Sequence, residues 1–82
     1  MGKWTNLSNT GNSVGDETPA GTLDGANVTF TLAYPPNPAS SLELYLNGVL
    51  QKQGTDYTLS GVTITFTEAP FADDWMLAFY DR

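Results

Sequence analysis

The stretch Ser41-Leu42-Glu43-Leu44-Tyr45-Leu46-Asn47-Gly48-Val49-Leu50 decides the reading of this chain. Leu42, Leu44 and Leu46 alternate with Glu43 and Tyr45, the period-2 pattern of a strand with one buried face. Asn47-Gly48 follows directly. Both residues accept positive φ, so the pair closes a tight hairpin and predicts a returning strand from Val49. The same grammar repeats on either side. Val28, Phe30 and Leu32 alternate with threonines, and so do Val62, Ile64 and Phe66. Ser60-Gly61 reads as a second tight hairpin and Asp24-Gly25 as a turn from a short Thr22-Leu23 strand. Tyr34-Pro35-Pro36-Asn37-Pro38 has too few backbone donors for a central strand and reads as a stiff crossover between sheets. No helical period occurs. The pattern predicts strands at 28–33, 42–47, 49–53, 56–60, 62–68 and 75–81. Packed as two layers, they make an all-β fold, a small antiparallel β-sandwich of six to seven strands.

Residues 1–21 read differently. They are rich in Gly, Asn, Ser and Thr, and Trp4, Leu7 and Val14 are their bulky apolar groups, at no regular spacing. This predicts an extended polar N-terminal arm over 1–21 and a sandwich domain over 22–82. So short a core, without disulfides, sits near the lower limit of independent stability.

The last predicted strand is apolar on both sides. Trp75, Leu77 and Phe79 alternate with Met76, Ala78 and Tyr80. One of the two faces of a sandwich strand is normally wet. With Trp75, Leu77 and Phe79 taken as the core side, Met76 and Tyr80 become candidate interface residues together with Trp4, Leu7 and Val14. Substituting Met76 and Tyr80 by Asp is then expected to break assembly and leave the monomer folded. A second expectation uses the aromatics as a stacking platform for carbohydrate, with Tyr45, Tyr57 and Trp75 as candidates.

Composition narrows the chemistry. The chain has 82 residues, nine acidic and three basic, for a net charge of −6, and no Cys or His. Cys/His zinc sites and Ser-His or Cys-His nucleophile systems are excluded. The charge argues against nucleic-acid binding, where phosphates must be neutralised. No apolar window is long enough for a membrane-spanning helix. The adjacent carboxylates Asp16-Glu17 and Asp73-Asp74 read as solvated loop charges. Asp24, Asn27, Asp73 and Asp74 read as turn residues ahead of calcium ligands, since no EF-hand loop pattern is present. No enzyme activity, cofactor or metal is expected.

Three blocks then carry a resemblance. Asp24-Gly25-Ala26-Asn27-Val28-Thr29-Phe30-Thr31-Leu32, Ser41 through Val49, and Asp56-Tyr57-Thr58-Leu59-Ser60-Gly61-Val62-Thr63-Ile64-Thr65-Phe66, followed by Ala69-Pro70, stand in order. Residues 17–82 resemble a small β-sandwich module of tailed-bacteriophage and prophage virion proteins, such as tail-fibre, adaptor, head-fibre and capsid decoration proteins. Asp73 departs from the pattern, which prefers glycine before Asp74. The resemblance implies a structural role in a virion assembled in the host cytoplasm, docking on capsid or tail proteins through the arm and an apolar sandwich face. It implies no catalytic residues. A homo-oligomer is expected, a trimer ahead of a dimer, with a host-surface glycan as the alternative partner.

Overall fold

The computed structural model describes residues 13–82. Seven strands form: β1 (Ser13–Glu17), β2 (Thr29–Thr31), β3 (Glu43–Leu46), β4 (Val49–Leu50), β5 (Tyr57–Ser60), β6 (Thr63–Phe66) and β7 (Met76–Asp81). A short 3-10 turn, Ala39–Ser41, precedes β3. All pairings between strands are antiparallel, in a four-stranded sheet ordered β1-β7-β3-β4 and a three-stranded sheet ordered β2-β6-β5. The all-β, two-sheet architecture is the one the alternation implies.

The turns form for the reasons their residues suggest. Asn47 and Gly48 hold φ of 55° and 82°, and Leu46 pairs with Val49 across them. In the second hairpin Ser60 pairs with Thr63, so Gly61 and Val62 are the two loop residues, one position later than Ser60-Gly61. Gly61, with φ of 60°, takes the first loop position, where glycine is favoured in a type II′ turn. The Tyr34–Pro38 segment carries the chain from the three-stranded sheet to the four-stranded one, as its prolines predict.

Inward-facing residues of both sheets meet in one core. The three-stranded sheet contributes Phe30, Tyr57, Ile64 and Phe66, and the four-stranded sheet contributes Leu44, Met76, Ala78 and Tyr80. Phe30 and Phe66 meet edge to face at 5.7 Å. Complete burial of a side chain such as Ile64 or Leu44 stabilises the fold by roughly 1.5–3 kcal/mol.

Both open sides of the sandwich are bridged. Ala20 exchanges two 2.8 Å backbone hydrogen bonds with Thr31, so the chain leaving β1 closes the edge beside β2. On the opposite side Gln53 forms a parallel bridge with Tyr57. Each bridge is a single residue pair, so the two sheets stay distinct layers of a sandwich with β1, β4, β2 and β5 at their edges.

Two expectations change here. Residues 13–20, read as part of the arm, belong to the folded body. Val14 pairs with Tyr80 and packs against the core. Alternation does not reveal this strand because Gly15 and Asp16 form a bulge, Asp16 with φ of 54°, which breaks the period of 2. Thr22-Leu23 is not a strand. The Asp24 carboxylate instead caps the loop by accepting hydrogen bonds from the Ala26 and Asn27 amides at 2.9 and 2.8 Å. Those two amides, Asn27 first, hold the Asp24 carboxyl below the usual carboxylate range.

Candidate functional site

β7 lies between β1 and β3, and its orientation decides which residues are available to a partner. Met76 pairs with Leu46 and Ala78 with Leu44, both directed inward. Met76 is 2% exposed and Tyr80 4%. The interface assignment of these two residues is thus corrected: they are core, and Asp at either position attacks the fold itself. Two features favour this orientation. Ala78 is small enough to lie fully buried opposite Leu44. The Tyr80 hydroxyl finds polar partners at the core margin, donating to the Glu17 carboxylate and accepting from the Tyr34 amide at 3.2 Å. Burial, then the Glu17 hydrogen bond, push the Tyr80 pKa up to about 12.

Glu17 also accepts from the Ala33 amide at 2.7 Å. It ties β1 both to β7 and to the start of the crossover, and is not the solvated loop charge it was expected to be. Asp74 is likewise engaged. It accepts from the Phe71 amide and from Asn47 Nδ2, both at 2.8 Å. Among the described residues no group of three or more His, Cys, Asp or Glu side chains gathers where it could hold a metal ion.

The other side of β7 faces outward. Tyr45 stands opposite Leu77 on β7 and Leu50 on β4, and Glu43 stands opposite Phe79. Cross-strand partners share a face, so these side chains lie together on the outer surface of the four-stranded sheet. Tyr45 and Phe79 meet edge to face at 5.9 Å and 88°. Glu43, Tyr45, Gly48, Trp75, Leu77 and Phe79 line one shallow concavity. Trp75 is 51% exposed, and Leu50 extends the apolar surface toward the edge.

Trp75 is held in place by the hairpin turn. Its amide donates to Asn47 Oδ1 at 2.9 Å, and its carbonyl accepts from the Asn47 amide at 2.8 Å. Its six-membered ring passes 3.8 Å from where a Cβ on Gly48 would stand. The Asn-Gly pair thus makes the turn and also seats the indole beside it.

Of the carbohydrate candidates, Tyr45 and Trp75 come together on this face. Tyr57 is only 1% exposed, in the core, and is removed from that set. Of the interface candidates, Val14 packs inward, and Trp4 and Leu7 lie outside the described residues. Leu77, Phe79 and Leu50 belong to the outer face with Trp75, which corrects the expectation that Trp75, Leu77 and Phe79 form the core side of the strand. Scans of family models, of curated proteins and of solved structures find no match to this chain.

Proposed function

We propose that this protein is a non-catalytic structural component of a bacteriophage particle, docking on another virion protein through the outer face of its four-stranded sheet. One observation carries the proposal: Tyr45, Trp75, Leu77 and Phe79 form a contiguous apolar surface on the face of a sandwich that ordinarily meets water. The motif resemblance over residues 17–82 supplies the particle context. Residues upstream of β1 provide a second contact, and the assembly on the particle is a trimer.

The test is incorporation of a tagged chain into particles purified from an induced culture of the source strain. Leu77→Asp and Phe79→Asp are expected to abolish incorporation while the variants stay folded by circular dichroism. Deletion of residues 2–12, which spares β1, is expected to weaken it. Full incorporation of the Asp variants would refute docking through this face.

A second reading has one observation in its favour: Tyr45 and Trp75 share the concavity with the Glu43 carboxylate, an arrangement suited to stacking a sugar ring and accepting its hydroxyls. Glycan-array binding lost in Tyr45→Ala and Trp75→Ala, with incorporation intact, would favour a carbohydrate-binding role.

A further inference from the structure

We infer that the aromatic concavity on the outer sheet face is a receptor for an arginine side chain, presented by the docking partner. This rests on the docking reading for the source of the arginine, while the site itself is argued from its own chemistry. Three ring systems, Tyr45, Trp75 and Phe79, line the depression together with one carboxylate, Glu43. Ring faces attract cations through their quadrupole, and a carboxylate beside them adds a direct charge partner. Among the described residues neither Lys nor Arg lines the site. The chain as a whole carries a charge of −6, so its field favours a positive guest.

A purely apolar anchor fits less well. It would cover Glu43 with groups that cannot hydrogen-bond, and a desolvated carboxylate is costly. The same face of a second copy fits less well too, because among the described residues it would cover Glu43 without supplying a cation to pair with it. Arginine suits the site better than lysine: its planar guanidinium stacks on a ring and forks onto a carboxylate at once. The chain itself sets an arginine against a ring elsewhere, where the Arg82 guanidinium lies 4.2 Å from the centre of the Tyr34 ring. The site is also prepared in advance. The backbone of Trp75 is clipped to Asn47 from both sides, so less freedom is lost when a guest arrives.

The experiment is a titration of the full chain with N-acetyl-arginine amide, followed by NMR at the Trp75 indole N–H and the Gly48 amide. N-acetyl-citrulline amide, of the same shape without the charge, and methyl glucoside are the comparison titrants. Arginine is expected to give saturable shifts at both positions, with citrulline about three- to fivefold weaker. Glu43→Gln is expected to erase most of that difference, and Trp75→Ala to abolish the shifts; both side chains are exposed, so the fold survives. Equal binding of citrulline and arginine, tighter binding of the glucoside, or no shift at the highest soluble arginine concentration would overturn the inference. The titration uses no particles and the incorporation assay uses no free arginine, so either reading can fail alone.

Discussion

The two outer faces of this sandwich are built on the same pleat and finished in opposite ways. On the three-stranded sheet Thr29, Thr65 and Thr58 form one cross-strand row, and Thr31, Thr63 and Ser60 form the next. Every outward position there carries a hydroxyl on a short side chain, so water completes the surface. On the four-stranded sheet the corresponding rows run Leu50, Tyr45, Leu77 and Glu43, Phe79. Rings and aliphatic groups stand where hydroxyls would serve as well for solubility. Stability does not demand this, because the core beneath is already closed by Leu44, Met76, Ala78 and Tyr80. On the proposed reading, the difference between the faces reflects the docking partner. Predictions that change one face and spare the other put that comparison at risk.

The largest effect is expected within β7, where neighbouring residues belong to opposite environments. Met76→Asp places an unpaired charge in the core and is expected to cost more than about 4 kcal/mol, enough to unfold so small a domain. Leu77→Asp, one residue along, is expected to cost less than about 1 kcal/mol. Urea denaturation followed by circular dichroism compares them. Similar losses for both would mean that the outer face is packed inside the monomer, and the contrast between faces would collapse.

β7 also shows what the sequence makes legible and what it hides. Where one side of a strand is polar, alternation assigns the faces correctly: Phe30 between Thr29 and Thr31, and Ile64 between Thr63 and Thr65, are buried as expected. β7 offers two apolar sets, and hydrophobicity cannot choose between them. The choice rests on long-range facts, the fit of Ala78 against Leu44 and the polar partners waiting for the Tyr80 hydroxyl. One of those partners is Glu17, which sits on a strand masked by the Gly15-Asp16 bulge. The candidate site inherited the error. Tyr45 is legible as an outward aromatic, because it alternates with Leu42, Leu44 and Leu46, but Trp75 reads as core and takes Leu77 and Phe79 inward with it. The clasp between Asn47 and Trp75 spans 28 residues and leaves no local trace.

A second prediction tests the polar margin of the core. Tyr80→Phe removes the donor to Glu17 and the acceptor for the Tyr34 amide, and is expected to cost about 2–3 kcal/mol. It also changes behaviour in alkali. The Tyr80 pKa is raised on folding, from 10.0 to about 12, so the neutral phenol is the form the fold favours. Its contribution is full below the unfolded value and is lost as pH rises through the folded one. Between those two pH values the native protein is expected to lose about 2–3 kcal/mol on this account. Burial raises the Tyr57 pKa as well, so Tyr80→Phe keeps part of the alkaline loss. Thermal unfolding of both proteins across this range measures the difference. Identical pH profiles would remove Tyr80 from the account.

A smaller effect is expected at the turn that seats Trp75. Asn47→Ala loses the bonds to Asp74 and Trp75 and forces alanine to φ of 55°. The expected cost is about 1–2 kcal/mol. Asn47→Gly relieves the backbone and still lacks the clasp. If positioning of Trp75 matters to docking, Asn47→Gly weakens incorporation into particles more than its stability loss explains. If it weakens neither, the exposed indole is an incidental member of the face.

The smallest stability effects belong to exchanges between the faces themselves. Phe79→Thr gives the four-stranded sheet the chemistry of the other face and loses the edge contact with Tyr45, a cost of about 1 kcal/mol. Thr65→Val makes the hydroxyl face more apolar at a cost within about 0.5 kcal/mol. Stability alone therefore barely separates the two variants. Docking separates them fully if the comparison is sound: Phe79→Thr stays folded but fails to incorporate, and Thr65→Val incorporates normally despite added apolar surface. The pairing also guards against a trivial explanation, because general stickiness would make Thr65→Val the stronger binder. A face that works by shape and ring chemistry responds only to changes made within it.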